Sequence, residues 1–388
     1  MRILVVNAGS SSLKLSVLAG SDRPLLAENI PAPAGRLDEG ALREAIARSR
    51  PLDAVGHRIV HGGTEFTQPV LIDARVLRRL EALTDLAPLH QPKSLRGLKL
   101  VSRLLPGVPA VACFDTAFHA GIPPAAATYA LPAEWRHRWD LRRFGFHGLS
   151  HAHAARRAAE MLNRSPAGLR VVTCHLGAGA SLAAVHDGVS VDTTMGFTPL
   201  EGLVMATRSG SVDPGLLLWL EEHVGMPPSE LATTLENRSG LLGLTGRSDM
   251  SAILQAEAGG DADAALAVSV YLHRLRAEIS GMAAAMDGLD ALVFTGGVGE
   301  NAPPIRARAA DGLGFLGVAI DPELNDAVRP DAEIGEAGAR VRTLVIEARE
   351  DLEIARGVTQ VLAAGDGPAP AQWSGSRMTP MSERENGR

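Results

Sequence analysis

Apolar and polar positions along the chain follow two rhythms. Close to the start, Ser12, Lys14 and Ser16 interleave with Leu13, Leu15 and Val17, the period of two of a half-buried strand. An apolar run from Ile3 to Val6 precedes them, and the small-residue stretch NAGSSSLK joins the two. The segment therefore reads as strand, tight turn, strand. Further strand signals recur as AVGHRIV, AVACFDT, LRVVTCHL, LAAVH and ALVFTGG. Helical periodicity fills roughly 74–84, 92–105, 149–162, 213–223, 248–258 and 262–287 between them. This interleaving predicts α/β layering rather than a sandwich or a bundle. The longest helix candidate, Asp261 to Met286, has Asp261 as its N-cap and Gly288 just past its end. From Gly365 onward the chain is polar and rich in proline and glycine, which predicts a disordered tail over 365–388.

One segment echoes another. RILVVNAGSSSLKLSV (2–17) lies over RVVTCHLGAGASLAAV (170–185) at a constant shift of 168 residues. Arg2 falls on Arg170, Gly9 on Gly177 and Val17 on Val185, and each copy reads strand, small-residue turn, strand. Two such hairpins, each near the start of a similar-sized half, point to a duplicated domain whose two turns would meet in a cleft.

Composition narrows the classes. A chain of 388 residues can build two domains with substantial cores. Its 46% hydrophobic and 21% charged content is that of an ordinary globular protein. Net charge of −6 and 4% aromatic residues offer no footprint for nucleic acid or an anionic membrane. No apolar stretch reaches the roughly 18 residues of a membrane span. The short apolar start, followed at once by polar residues, is not a signal peptide. Cys113 and Cys174 sit in apolar runs and are expected to be buried reduced thiols of a cytoplasmic protein.

Three glycine-containing turns follow apolar strands: Asn7 to Lys14, HLGAGAS (175–181) and FTGGVGEN (294–301). The first lacks the GxxxxGK[ST] spacing of a Walker A loop. Small residues still bring backbone N–H groups to an anion, and serine hydroxyls and Lys14 add donors. Each turn alone reads equally well as structural. Together they point to a nucleotide held by backbone contacts.

Isolated residues carry the remaining chemistry. In GHRIVHGG (56–63) the odd spacing of Arg58 and His61 sends them to opposite faces of a strand. Arg58, a charge within an apolar strand, is either functional or half of a buried ion pair. Asp115 in VACFDTAFH lies just past a strand, where α/β ligand sites collect, or serves as a cap. His147 stands before a helix beginning near Ser150, with His151 and His153 as capping or packing residues. Arg208 lies in a polar, small-residue loop, as a functional or a surface arginine. Glu350 and Asp351 open the last helix and either act in the site or only offset its dipole. No histidine spacing with a third carboxylate suggests zinc.

In this order, NAGSSSLK, GHRIVHGG, FDTAFH, RRFGFHG, HLGAGAS, GFTPLEGLVMATRSG, FTGGVGEN and EDLEIAR resemble the acetate kinase family, from residue 3 to about residue 360. The resemblance implies an α/β fold of two duplicated ribonuclease H-like domains, the actin-like ATPase fold, with a nucleotide cleft between them. The domains would be 1–148 and 149–364, the closing helix packing back on the first. It implies reversible, direct in-line transfer of the ATP γ-phosphoryl to acetate, giving acetyl phosphate and ADP with Mg²⁺ or Mn²⁺. It further implies a cytoplasmic homodimer with no nucleic-acid or membrane partner.

Site residues carry over by similarity. Arg58 holds the acetate carboxylate, Arg208 the transferring phosphoryl, and His147 donates a hydrogen bond to the developing charge. Asp115 positions the metal or reacting group, and Asn7 and Glu350 match the metal site. Ser10, Ser12 and Lys14 lie near the transferring phosphate. His175, Leu176, Gly177, Ala178 and Gly179 match a nucleotide segment. So do Asp249, Met250 and Ser251, and likewise Gly297, Val298, Gly299, Glu300 and Asn301. Val60, Leu89 and Pro199 line the acyl pocket.

Three positions depart from the family pattern. Ala178 stands where the family has asparagine, Ser251 where it has arginine, and Ala348-Arg349 where it has threonine-asparagine. Arg247 is the nearest guanidinium to Ser251. Three alternatives stay open: a propionate or other short-chain acyl kinase, a different phosphoryl donor, or a catalytically weak nucleotide-binding protein of the same fold.

Overall fold

The structure, a computed structural model, describes residues 1–9, 12–20, 23–31, 38–86 and 91–364. Ser10, Leu89 and the expected tail 365–388 lie outside them. Contacts divide the chain into two compact units. The first is Met1–Phe114 with the residues from Ile354 onward, and the second is Asp115–Glu353. The chain thus parts after Phe114 and again within its last helix.

In the first unit, the opening alternation forms β1 (Ile3–Ala8) and β2 (Ser12–Leu18), followed by β3 (Leu26–Pro31). With β4 (Ala54–Ile59), β5 (Val70–Leu71) and β6 (Ala110–Phe114) they build a sheet of order β3-β2-β1-β4-β6-β5. The first three strands form an antiparallel meander, β4 and β6 run parallel to β1, and β5 closes the edge antiparallel. Between its strands lie α1 (Glu39–Ser49), α2 (Ala74–Ala82) and α3 (Gln91–Leu104).

Alternation then sorts the side chains. Leu4, Val6, Leu13, Leu15 and Val17 form one core with Leu42 and Ile46 of α1 and Val101 of α3. The opposite face carries Val5, Asn7, Gly56 and Arg58. On that face Gly56 admits the closing helix, because a Cβ there would overlap Ile354 and stand 2.8 Å from Val358 Cγ2.

The second unit begins with α4 (Pro124–Ala127), α5 (Ala133–Trp139) and α6 (Gly148–Met161). The second hairpin follows as β7 (Arg170–Leu176) and β8 (Ala180–His186), then β9 (Val189–Thr193). Next come α7 (Pro214–Val224), α8 (Pro228–Asn237), α9 (Gly240–Thr245), α10 (Met250–Ala258) and α11 (Ala262–Ala284). They lead to β10 (Ala291–Thr295), α12 (Gly296–Asn301), α13 (Pro303–Asp311) and α14 (Pro322–Ala327). Last are β11 (Ala332–Glu333), β12 (Arg342–Val345) and α15 (Glu350–Ala364), within which the unit boundary falls.

The sheet order β11-β12-β10-β7-β8-β9 repeats the first sheet strand for strand. Again a meander is followed by two parallel strands and an antiparallel edge. The α/β duplication expected from the hairpin echo is the observed fold. The two turns differ by one residue: Ala8 faces Leu13, whereas Leu176 faces Ala180. α6 covers one face of the second sheet through Ala154, Ala155, Ala158 and Ala159 against Val171, Val185 and Val293. Of FTGGVGEN, read as a turn, Phe294 and Thr295 end β10 and Gly296–Asn301 fold instead as the short helix α12. Its first residue, Gly296, has φ 78°, and a Cβ there would lie 2.9 Å from the Leu176 carbonyl oxygen, so no other residue fits.

Candidate active site

The second unit gathers its chemistry where β7 and β8 meet the start of α6. On the α6 face of β7 the alternation runs Val171, Thr173, His175, so the face turns polar toward the strand's C-terminal end. Ser181 of β8 pairs with His175 on that face. α6 opens after His147, a non-glycine residue held at φ 55°, a conformation that costs energy and recurs at functional sites.

Its imidazole stacks on His175, with ring centroids 4.4 Å apart, and His147 Nδ1 lies 3.0 Å from Ser181 Oγ. Ser150 Oγ lies 2.8 Å from His175 Nδ1. Behind them His151 spans Ser181 Oγ at 2.7 Å and Thr173 Oγ1 at 2.8 Å. Burial pushes the His151 pKa well below the ordinary imidazole value, so the ring is neutral.

Gly179 marks the focus. A Cβ there would stand 3.2 Å from His147 Nε2 and 3.6 Å from Arg208 Nη1, so both groups face the space above the HLGAGAS turn. Arg208 lies in the loop between β9 and α7, half-buried, and donates to the Pro199 carbonyl at 2.9 Å. Among the described residues it has no carboxylate within ion-pair distance. Burial lowers its pKa, and the charge of Glu236 opposes this. A desolvated guanidinium without a carboxylate partner is suited to bind an anionic ligand.

The loop beneath it is clamped. Glu201 accepts from Tyr129 Oη and from Arg143 Nη2, each at 2.6 Å, and Tyr129 Oη accepts from Phe197 N at 2.8 Å.

Asp115, 1% exposed, follows β6 directly, and its carbonyl accepts from Gly148 N at 2.9 Å. A Cβ on Gly148 would overlap that carbonyl, so glycine brings Asp115 and His147 to one place. In the turn, Gly177 N donates to Gly179 O at 3.0 Å and the Ala178 carbonyl accepts from Ala206 N at 3.1 Å.

Leu176, at the end of β7, and Met250, at the start of α10, are buried. The Asp249 carboxylate caps α10 through Ala252 N at 2.9 Å, and Ser251 is exposed beside it. Arg247 is held by Asp261 at 3.0 Å. Glu300 Oε1 accepts from Gly296 N at 2.8 Å and from Ala348 N at 3.0 Å, tying α12 to the segment before Glu350. In α12, Gly297 is open, and Asn301 Nδ2 donates back to the Gly297 carbonyl at 2.9 Å, with Val298 and Gly299 between. Glu350 is the first residue of α15 and half-buried.

In the first unit Arg58 Nη1 donates to Asn7 Oδ1 at 3.1 Å, and Lys14 lies opposite Asn7 in the hairpin, exposed. Ser12 opens β2, and its carbonyl accepts from Gly9 N at 2.8 Å. Val60 is buried just past β4. His61 also lies beyond that strand, where the parity argument for its face no longer applies. Its Nδ1 accepts from Gly63 N at 2.8 Å, and burial pushes its pKa down to about 4.

Comparison with known proteins agrees with these motifs. The Acetokinase family profile matches residues 27–356. The chain belongs to the acetokinase family. An acetate kinase of Synechococcus sp. (strain JA-2-3B'a(2-13)) is 45% identical, over 93% of this chain and 99% of that one. The crystal structure of Porphyromonas gingivalis acetate kinase superposes with a TM-score of 0.85 at 34% identity, covering 93% of this chain and 99% of that one. A propionate kinase from Francisella tularensis subsp. tularensis SCHU S4 does so with a TM-score of 0.84 at 35% identity, covering 92% and 98%.

Sequence reasoning missed several residues around this acetokinase site. His151 bridges two hydroxyls, where capping or packing was expected. Arg306, fully buried, donates to the carbonyls of Gly299 and Glu300 at 2.9 Å and to Asn325 Oδ1 at 2.8 Å, holding the end of α12. The available signal was small polar residues, Thr173 and Ser181, breaking an apolar alternation.

Proposed function

We propose that the protein transfers the γ-phosphoryl of ATP reversibly to acetate, giving acetyl phosphate and ADP. The convergence of His147 Nε2 and Arg208 Nη1 above the Gly179 turn carries this reading. In the reaction a carboxylate oxygen of acetate attacks the γ-phosphorus in line, and the bond to the ADP oxygen breaks. Negative charge spreads over the equatorial oxygens. A guanidinium and an imidazole N–H aimed at them stabilise the transition state without a covalent enzyme intermediate. Arg58 would bind the acetate carboxylate, with Val60, Leu89 and Pro199 around the methyl group, and Asp115 would orient the reacting group. Main-chain groups of 175–179, 249–251 and 297–301 would hold the nucleotide, and Ser10, Ser12 and Lys14 its transferring phosphate.

A divalent cation fits the donors present. Among the described residues no three of His, Cys, Asp and Glu cluster as a metal cage. Mg²⁺ normally takes only one or two carboxylates, with phosphates and water completing its shell. Asn7 and Glu350 carry the hard oxygen atoms such a site uses. When bound, the cation would neutralise charge on the β- and γ-phosphates.

The acceptor has two readings, because acetate and propionate kinases are equally similar in structure. Initial rates with acetate, propionate and butyrate, ATP and Mg²⁺, trapped by hydroxylamine, decide between them. Each added methylene is expected to change kcat/KM by roughly 10–200-fold. No acyl hydroxamate from any acid with folded protein would refute the kinase reading.

A homodimer is proposed through α7, none of whose residues is buried; Leu216, Leu218, Trp219 and Val224 are exposed by 48%, 57%, 51% and 55%. Trp219→Glu should then sediment as a monomer, and an unchanged dimer would place the interface elsewhere. Among the described residues no helix is long and apolar enough to cross a membrane. Cys113 and Cys174, both buried and joined in no disulfide, support a reducing cytoplasmic location. Detection of the protein in a secreted fraction would contradict it.

A further inference from the structure

We propose that Thr173, His151 and Ser181 fix the tautomer of His147, so that Nε2 carries its proton and aims a neutral N–H donor at the space above Gly179. The inference rests on the phosphoryl-transfer reading for its purpose, though not for its geometry.

The polarity follows link by link. Thr173 Oγ1 has two acceptors in reach, His151 Nδ1 at 2.8 Å and the Ala183 carbonyl at 3.5 Å. Only the shorter is a sound hydroxyl hydrogen bond, so Thr173 donates to His151 Nδ1. Since burial keeps His151 neutral, its single proton sits on Nε2. That N–H donates to Ser181 Oγ at 2.7 Å. The one Ser181 hydroxyl proton then goes to His147 Nδ1 at 3.0 Å. With Nδ1 accepting, neutral His147 is protonated on Nε2, the nitrogen 3.2 Å from the Cβ position of Gly179.

The opposite polarity would send the Thr173 proton to a carbonyl 3.5 Å away. It would also leave Nε2 a bare acceptor, able to donate to a phosphoryl oxygen only as imidazolium. The Arg208 guanidinium shares the space above Gly179, so a second positive charge there would meet its repulsion. Thr173, His151 and Ser181 are therefore positioning residues, acting through His147.

Long-range ¹H–¹⁵N spectra of the full chain labelled with ¹⁵N-histidine test the relay directly, with the His147 signals identified by their loss in His147→Gln. The expected wild-type spectrum shows His147 Nε2 protonated and Nδ1 bare. Ser181→Ala should populate the other tautomer and lower kcat for acetyl phosphate roughly 10–100-fold with KM for ATP unchanged. Ser181→Thr, which keeps the hydroxyl, should restore both. A wild-type His147 protonated on Nδ1 would overturn the proposal, as would an unchanged tautomer in Ser181→Ala. If Ser181→Ala fails to fold, the wild-type spectrum still decides the polarity. Absence of acetyl phosphate formation by the wild type would sink the functional reading and leave the spectra to judge the relay.

Discussion

Arg208→Ala removes a guanidinium whose structural contacts are few. Its side chain donates to the Pro199 carbonyl at 2.9 Å and touches Met205 Sδ at 3.5 Å. A hydrogen bond from a charged group contributes about 1.5–3 kcal/mol, and part of that is returned when a poorly solvated charge is removed. A net cost of about 1 kcal/mol corresponds to a Tm shift of about 2–4 °C in a unit of this size. For the reaction the guanidinium matters far more. An arginine aimed at a transferring phosphoryl contributes roughly 10³–10⁵ in rate, about 4–7 kcal/mol of barrier. Hydroxamate-trapped initial rates, with acetate and ATP each varied, should show kcat down by at least about a thousandfold while the melting curve barely moves. Arg208→Lys keeps the charge, loses the planar fork and should fall between the two. A kcat within a few-fold of the parent would refute the role. So would a kcat loss that merely tracks a collapsed Tm.

Other perturbations follow from the same geometry. Gly148→Ala places a methyl on the Asp115 carbonyl and 2.8 Å from Phe118 Cβ, so Asp115 and His147 must part. It should cost about 1–3 kcal/mol in urea melts and most of kcat, and a fully active variant would show that the close approach is dispensable. Glu300→Ala orphans the N–H groups of Gly296 and Ala348, at about 1–3 kcal/mol each, and should raise KM for ATP. Glu300→Gln, which keeps an acceptor oxygen, should stay near the parent, and equal behaviour of the two variants would contradict the bridge.

Burial lowers the pKa of His57 to about 3 and those of His61 and His119 to about 4. Their contribution to stability is complete above the unfolded value near 6.5 and is lost as pH falls toward the folded values. At pH 5 each should cost about 2 kcal/mol, read as a lower urea midpoint than at pH 7.5, and His57→Leu should flatten that slope. Equal midpoints at the two pH values would show that these rings stay hydrated.

Local pattern determined a good deal of this protein. The alternation from Leu13 to Val17 and its echo at 170–185 specify two hairpins, and the mean direction of each side chain follows from a period of two. Helix starts were legible where a capping side chain announces them, as Asp261 does for α11. The residues of the site were also legible as types: a charge within an apolar strand at Arg58, a histidine before a helix at His147, and glycines where backbone must come close.

Tertiary structure alone decided what those residues meet. That Gly148 brings Asp115 to His147, that Gly56 admits α15 and that Arg306 holds the end of α12 depends on contacts between residues far apart in sequence. GGVGEN became a helix, against the poor helix propensity of its glycines, because Glu300 and Arg306 bind its two ends. His151, unremarkable by position, became the middle of a proton-ordering chain because α6 lays it between Thr173 and Ser181. Periodicity is a property of neighbours along the chain, whereas a hydrogen bond is a property of neighbours in space, and only packing converts one into the other.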